Sequence, residues 1–286
     1  MPLPKAVTLR SGTIIRATAG CGVTAACGAT AAFGLTGQQP PLQAAAGVMS
    51  VTGEEGGAPV KCGVPIADFA TGLYGAYSIA AALLTVRAGG PGAHIDVPMF
   101  GCTLAIAALQ TSELFGTGRS PRRLGSAHPR NAPYQAFAAA DGYFAIAAGN
   151  QQLWLKVVKA VNLPALANDS RFSSTRERAA NQTTLKQILE AEFRKASAAH
   201  WLKVFAEAGV PHAAINDYAA ALADAQVRHM GWVQPLRLPN GTMTQTFGSP
   251  MRLNGRAVPI YAPPPALGQH TSEIQARYMK VEAAND

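Results

Sequence analysis

The richest apolar run in the chain is AYSIAAALLTV at 76–86, the length of a buried helix. Phe69, Leu73, Tyr77, Ala80 and Leu84 recur at helical spacing, which predicts a helix over 69–87 with these side chains on one face. The Gly/Pro cluster GGPG at 89–92 stops it. AHIDVPM (93–99) has strand character, with His94 and Asp96 on one face and Ile95 and Val97 on the other. A second helix is expected over 100–114. Helix, strand and helix joined by Gly-rich segments suggest a layered α/β domain. Further on, YQAFAAADGYFAIAAG (134–149) places a turn-forming AADG between two apolar runs and reads as a β-hairpin. Three amphipathic helices follow, marked by Leu153, Val157, Val158 and Val161, by Leu185, Ile188, Leu189 and Phe193, and by Trp201, Val204, Phe205 and Ala208. Gly209 stands where helices usually stop. Residues 232–268 are Pro/Gly-rich and extended, and a short helix is expected near 270–281. No internal repeat is present.

Residues 1–53 contain no Asp or Glu, and the Ala/Gly/Thr tract 17–32 has neither a helical nor a strand period. The composition resembles a transit peptide but lacks an amphipathic Arg face. Residues 1–31 are therefore an atypical, weakly structured segment. No apolar run reaches the roughly 18 residues that span a bilayer, which argues against a membrane protein. With 48% hydrophobic and 14% charged residues, the 286-residue chain is suited to one large domain or two smaller ones. The net charge is +8, yet no Lys/Arg run tracks a phosphate backbone; the densest cluster is Arg119, Arg122 and Arg123. A small anionic ligand fits this better than nucleic acid. Cys21, Cys27, Cys62 and Cys102 form no CxxC pair and no zinc pattern, so reduced thiols in a cytoplasmic protein are expected, with no metal.

Asp68 is the one acid in the run GVPIADFATGLYG (63–75). An ionised group among apolar neighbours needs a reason. As a helix N-cap its oxygen would accept backbone N–H bonds. As a nucleophile it would need dry neighbours such as Ile66, Phe69 and Leu73, because hydration masks a carboxylate. Elsewhere the simpler readings suffice. His94 and Asp96 form a polar strand face rather than a metal pair. Glu54 and Glu55 form an exposed turn. Trp154 and Trp201 belong to the core. Gly72 and Gly75 allow close packing of their helix.

GVPIADFATGLYGAYSIAAALL resembles the signature around the catalytic aspartate of the family III CoA-transferases, the family of formyl-CoA transferase and carnitine–CoA transferase. AFGLTG (32–37), QAAAGVMSVTG (43–53), GPGAHIDVPMF (90–100), APYQAFAAADGYFAIAAGN (132–150), DSRFSSTRERAANQ (169–182), HWLKVFAEAGVPHAAIND (200–217) and GSPMRLNG (248–255) follow the family's order. The resemblance covers residues 32–275 and implies an α/β fold: a large, Rossmann-like α/β domain, a smaller α+β domain and an interlocked homodimer. It divides the chain into the atypical segment 1–31, a large-domain part 32–115 carrying the aspartate, a linker 116–133, a small domain 134–225, and a segment 226–286 that returns to the large domain. Roughly the first quarter of the family pattern has no counterpart, so an N-terminally truncated version of the fold is expected. QQPPL stands where members often carry a Tyr-Asp pair.

The resemblance also implies an activity, transfer of coenzyme A from an acyl-CoA donor to a carboxylic-acid acceptor. Coenzyme A is then a substrate, and no cofactor is bound permanently. By motif position Asp68 is the nucleophile, passing through an aspartyl anhydride and an aspartyl-CoA thioester. Gly125 and Ser126 lie where members place a flexible glycine loop over the aspartate, and nearby Arg122 and Arg123 could meet CoA phosphates. Asp169, Arg171, Arg178 and Asn181 match the small-domain pattern and are explained by capping and ion pairing. An α-methylacyl-CoA racemase would need a His ahead of the aspartate, and none precedes His94. A non-catalytic homologue that binds no CoA is the remaining alternative.

Overall fold

The structure, a computed structural model, describes residues 12–16, 24–28, 39–260 and 262–282. The chain divides into two compact units, Met1–Ala213 and Ala214–Asp286. The fold is mixed α/β. AFGLTG, QQPPL's first residue Gln38 and Cys21 lie outside the described residues.

In the first unit, β1 (Gly12–Arg16) and β2 (Thr24–Gly28) pair antiparallel, and β2 pairs in parallel with β3 (His94–Asp96). The tract 17–32 thus contains a strand that its sequence conceals: Ala and Gly offer no alternation of polar and apolar side chains, and ladder partners on both sides supply the order. Between β2 and β3 lie α1 (Gln39–Ala45), α2 (Val48–Val51) and α3 (Ile66–Arg87). Two helices follow β3, α4 (Met99–Ile106) and α5 (Ala108–Thr117), with a break at Ala107 where one helix was expected. By length and composition alone α3 is long and apolar enough to cross a bilayer, contrary to the expectation from the run lengths. Its inner side instead packs Ala70 against Val97 and Cys102, with Tyr74 and Ile95 beside them.

The main core belongs to the segment that follows. β4 (Tyr134–Ala138) and β5 (Tyr143–Ala147) form the expected hairpin, with Phe137 opposite Phe144. Helix α8 (Gln182–Phe193) packs against β4 and α9 (Ala198–Ala208) against β5, while α6 (Gln151–Ala160) lies on α9 and α7 (Thr175–Ala180) on α8; β6 (His212–Ala214) follows. The ends are set by local chemistry. Asn150 Oδ1 accepts from the Leu153 N–H at 2.9 Å to open α6, and Gly209 closes α9 at φ 63°. Phe193 sits at the centre, its ring 5.3 Å from Phe137, 5.0 Å from Phe144, 5.0 Å from Trp201 and 5.9 Å from Phe205. The Trp201 indole N–H donates to the Phe193 carbonyl at 2.8 Å, so Trp201 belongs to the core as expected. Phe193→Ala should lower the unfolding free energy by about 3–5 kcal/mol, read from denaturant midpoints, because one ring braces four others. A loss below about 1 kcal/mol would mean that these rings repack freely.

The second unit holds two short helices, α10 (Tyr218–Leu222) and α11 (Ala225–Met230), which the sequence pattern missed. A hairpin of β7 (Val233–Arg237) and β8 (Met243–Phe247) and the small pair β9 (Arg252–Leu253) and β10 (Arg256–Ala257) follow. α12 (Thr271–Glu282) falls where the final helix was expected.

Candidate active site

Pro65 occupies the N-cap of α3 and Ile66 begins the helix. Asp68 is therefore the third helical residue rather than the cap. Its negative charge lies in the first turn, where the unsatisfied N–H groups and the helix dipole favour a carboxylate. The approach to this turn is fixed from α1: the buried Gln43 side chain accepts from the Cys62 N–H at 2.9 Å. Ala67, Ala70 and Thr71 form the buried side of the helix. Thr71 donates to the Ala67 carbonyl at 2.7 Å and is hydrogen-bonded to the Cys102 thiol, whose pKa burial pushes up.

The larger apolar residues face the other way. Phe69 is 66% exposed, Leu73 68%, Tyr77 59% and Leu84 68%. The periodicity read from the sequence thus marks the outer side of α3. Small residues took the inner side because they permit close approach to α4. Asp68 is itself exposed, and of its three expected dry neighbours only Ile66 is half-buried. Gly72 and Gly75 would have nothing within 4 Å of an added Cβ, so neither serves close packing among the described residues.

The loop after α5 carries the other candidates. Gly118, at φ 69°, ends that helix. Arg122 Nη1 lies 2.5 Å from Glu55 Oε1. The Gly125 N–H donates to the Gly53 carbonyl at 2.9 Å. Gly125 has φ +60°, and a methyl group there would stand 2.7 and 2.9 Å from the Glu54 carboxylate oxygens. Only glycine lets that carboxylate rest on the backbone without strain. Ser126 Oγ accepts from the Ala136 N–H at 3.0 Å, tying the loop to β4. Arg123 is half-buried, and its Nε has no hydrogen-bond partner among the described residues. Glu54 and Glu55 lie in an exposed turn as expected, and in addition Glu55 pairs with Arg122 while the Glu54 carboxylate rests against Gly125.

A cavity of about 350 Å³ opens beside the start of α3, with Ile66, Leu104, Ser120 and Pro121 among its walls. A second, of about 290 Å³, is lined by Arg122, Leu124 and Gly125 on one flank and by Glu113 and Gln182 on others. The two share Val51, Gln110 and Pro121. Asp68 stands about 200° around the helix from Ile66 and lines neither.

His94 and Asp96 are both exposed on β3. Among the described residues no group of three or more His, Cys, Asp or Glu could hold a metal ion. Asp169 caps the following turn through the Arg171 N–H and pairs with the Arg171 side chain at 2.7 Å, and these bonds hold its carboxyl below the usual carboxylate range. Asn181 donates to the Arg171 and Glu177 carbonyls. Arg178 departs from the ion-pair expectation. It is fully buried, and its pKa is pushed down by that burial. Its hydrogen-bond partners are neutral: the carbonyls of Ala132 and Phe172 at 2.9 Å each, the Gln151 side chain at 2.7 Å and the Thr175 hydroxyl at 3.2 Å. Its guanidinium also lies 5.3 Å from the Trp154 ring centroid, within the buried core.

Known proteins share this arrangement of sequence and fold. The chain is 32% identical over 241 residues to the succinate–glutarate CoA-transferase of Agrobacterium fabrum, a match covering 84% of the chain and 60% of that protein. It is 35% identical over 246 residues to the acetyl-CoA:oxalate CoA-transferase of Acetobacter aceti, covering 85% and 61%. The crystal structure of a CaiB/BaiF family protein from Brucella suis superposes with a TM-score of 0.67 at 34% identity, covering 82% of the chain and 61% of that structure. The chain thus spans about three fifths of the length of each. The family model for CoA-transferase family III matches residues 22–271, and the chain belongs to that family.

Proposed function

We propose that the protein transfers coenzyme A from an acyl-CoA to a carboxylic acid, with Asp68 as the nucleophile. Family membership supports this, and the observation that carries it is Asp68 in the first turn of α3 within the matched GVPIADFATG segment. A carboxylate oxygen of Asp68 attacks the thioester carbonyl carbon; the C–S bond breaks and CoA leaves as the thiolate, giving a mixed anhydride. The thiolate then attacks the aspartyl carbonyl, releasing the donor acid and leaving an aspartyl-CoA thioester. An acceptor carboxylate attacks that thioester and expels CoA thiolate. The thiolate takes the new acyl group and frees Asp68. The relatives are named for succinate, glutarate and oxalate, which supports a dicarboxylic acid as one substrate.

The anhydride is open to hydrolysis wherever water reaches it, so the outer side of α3 must be covered during turnover. The exposed stripe of Phe69, Leu73, Tyr77 and Leu84 supports a second copy of the chain as that cover, hence a homodimer. The exposure of Asp68 itself favours a second reading, a homologue that folds without binding CoA. A thermal melt with CoA separates the two. Ligand at a hundred times its dissociation constant stabilises the folded state by about 2.7 kcal/mol, a rise of several degrees. An unmoved Tm at millimolar CoA would favour the non-binding homologue.

A further inference from the structure

The turn 53–55 and the loop 122–125 meet residue against residue. Gly53 accepts from the Gly125 N–H, the Glu54 carboxylate lies over Gly125, and Glu55 pairs with Arg122. Sixty-seven positions separate Glu55 from Arg122, so the contact is a feature of the fold and not of local sequence. On its other flank the same loop lines the 290 Å³ cavity, where Arg122 is the one basic residue among the lining and Glu113 the one acidic residue. Both ends of the Arg122–Glu55 pair are open to water, with side-chain exposures of 71% and 52%. Such a pair holds weakly and exchanges readily with another anion.

We propose that Glu55 is an internal competitor: it holds Arg122 in place of an anionic group of the substrate, and with Gly53 and Glu54 it forms a catch that sets the resting position of the glycine loop. An arriving anion takes Arg122 from Glu55, and that exchange loosens the hold on Gly125. The anion is a phosphate of CoA or the carboxylate of the acid. Arg122 binds substrate under this proposal, whereas Glu54 and Glu55 act as positioning residues. The proposal rests on the CoA-transfer reading for the identity of the anion, but not for the catch itself.

Two measurements test it. In the ligand-free protein, amide exchange at Gly125 should quicken about three-fold in Glu55→Gln and in Arg122→Gln, the scale of one exposed ion pair, with no further gain in the double variant. Calorimetric binding of CoA, 3′-dephospho-CoA and glutarate then reads the competition. Glu55→Gln should tighten one of these about three-fold, Arg122→Gln should weaken the same ligand, and the double variant should match Arg122→Gln. A gain for CoA that is lost with dephospho-CoA identifies the 3′-phosphate; a gain for glutarate identifies the carboxylate. A merely structural contact would not tighten binding when broken. Unchanged affinities in Glu55→Gln, or the same tightening in the Arg122→Gln background, would overturn the competition while leaving CoA transfer standing. Absence of binding by wild type and Glu55→Gln alike would overturn both. Unchanged exchange at Gly125 would overturn the catch.

Discussion

Asp68→Asn should abolish CoA transfer while leaving the fold nearly intact. The amide keeps the size and shape of the carboxylate, so α3 retains its packing through Ala67, Ala70 and Thr71. What is lost to stability is one charge in the first turn, worth about 0.3–1 kcal/mol at an exposed position. What is lost to chemistry is everything that depends on a nucleophilic oxygen, since a carboxamide cannot form the anhydride. Turnover should fall to the uncatalysed background with melting within a few degrees of wild type. Residual turnover at even a few per cent, in variant protein shown by mass spectrometry to carry no deamidation at the substituted position, would remove Asp68 from the reaction.

Arg178→Met should be among the most damaging single changes in the segment that holds the main core. The guanidinium fastens together the Ala132 carbonyl at the end of the loop, Gln151 at the start of α6, Phe172 in the turn after it and Thr175 in α7. Methionine fills much of the volume but strands the buried Ala132 and Phe172 carbonyls, and each stranded group carries its own desolvation penalty. The expected loss is about 3 kcal/mol or more, seen as a lower denaturant midpoint at unchanged slope. Arg178→Lys keeps the charge but has no planar fork, and it should recover only part of the loss. Near-native stability in Arg178→Met would mean that water enters and satisfies the acceptors.

The parts legible in the sequence are those where one pattern dominates. α6, α8 and α9 have narrow apolar stripes bounded by Asn150, Ser197 and Gly209, and the hairpin has its AADG turn; local rules decide them. α3 was legible as a helix but not in its orientation. It is apolar on every side, so period alone cannot choose a face, and close packing selected Ala67 and Ala70 over Phe69 and Leu73. β2 was hidden because Ala and Gly carry no alternation. Asp68 could be singled out as a lone acid in an apolar run, yet its exposure could not. The Glu55–Arg122 contact was beyond reach, since each charge alone reads as solvated surface and only the fold brings them together.

Transfer through Asp68 requires a covalent bond at one of its carboxylate oxygens. The protein should be incubated with succinyl-CoA and quenched during turnover with hydroxylamine, or with borohydride in a parallel sample, and its peptides read by mass spectrometry. A hydroxamate, or the reduced alcohol, on the peptide containing Asp68 and absent without donor is the result predicted. Sustained transfer with the adduct on another residue, or with none, would contradict it.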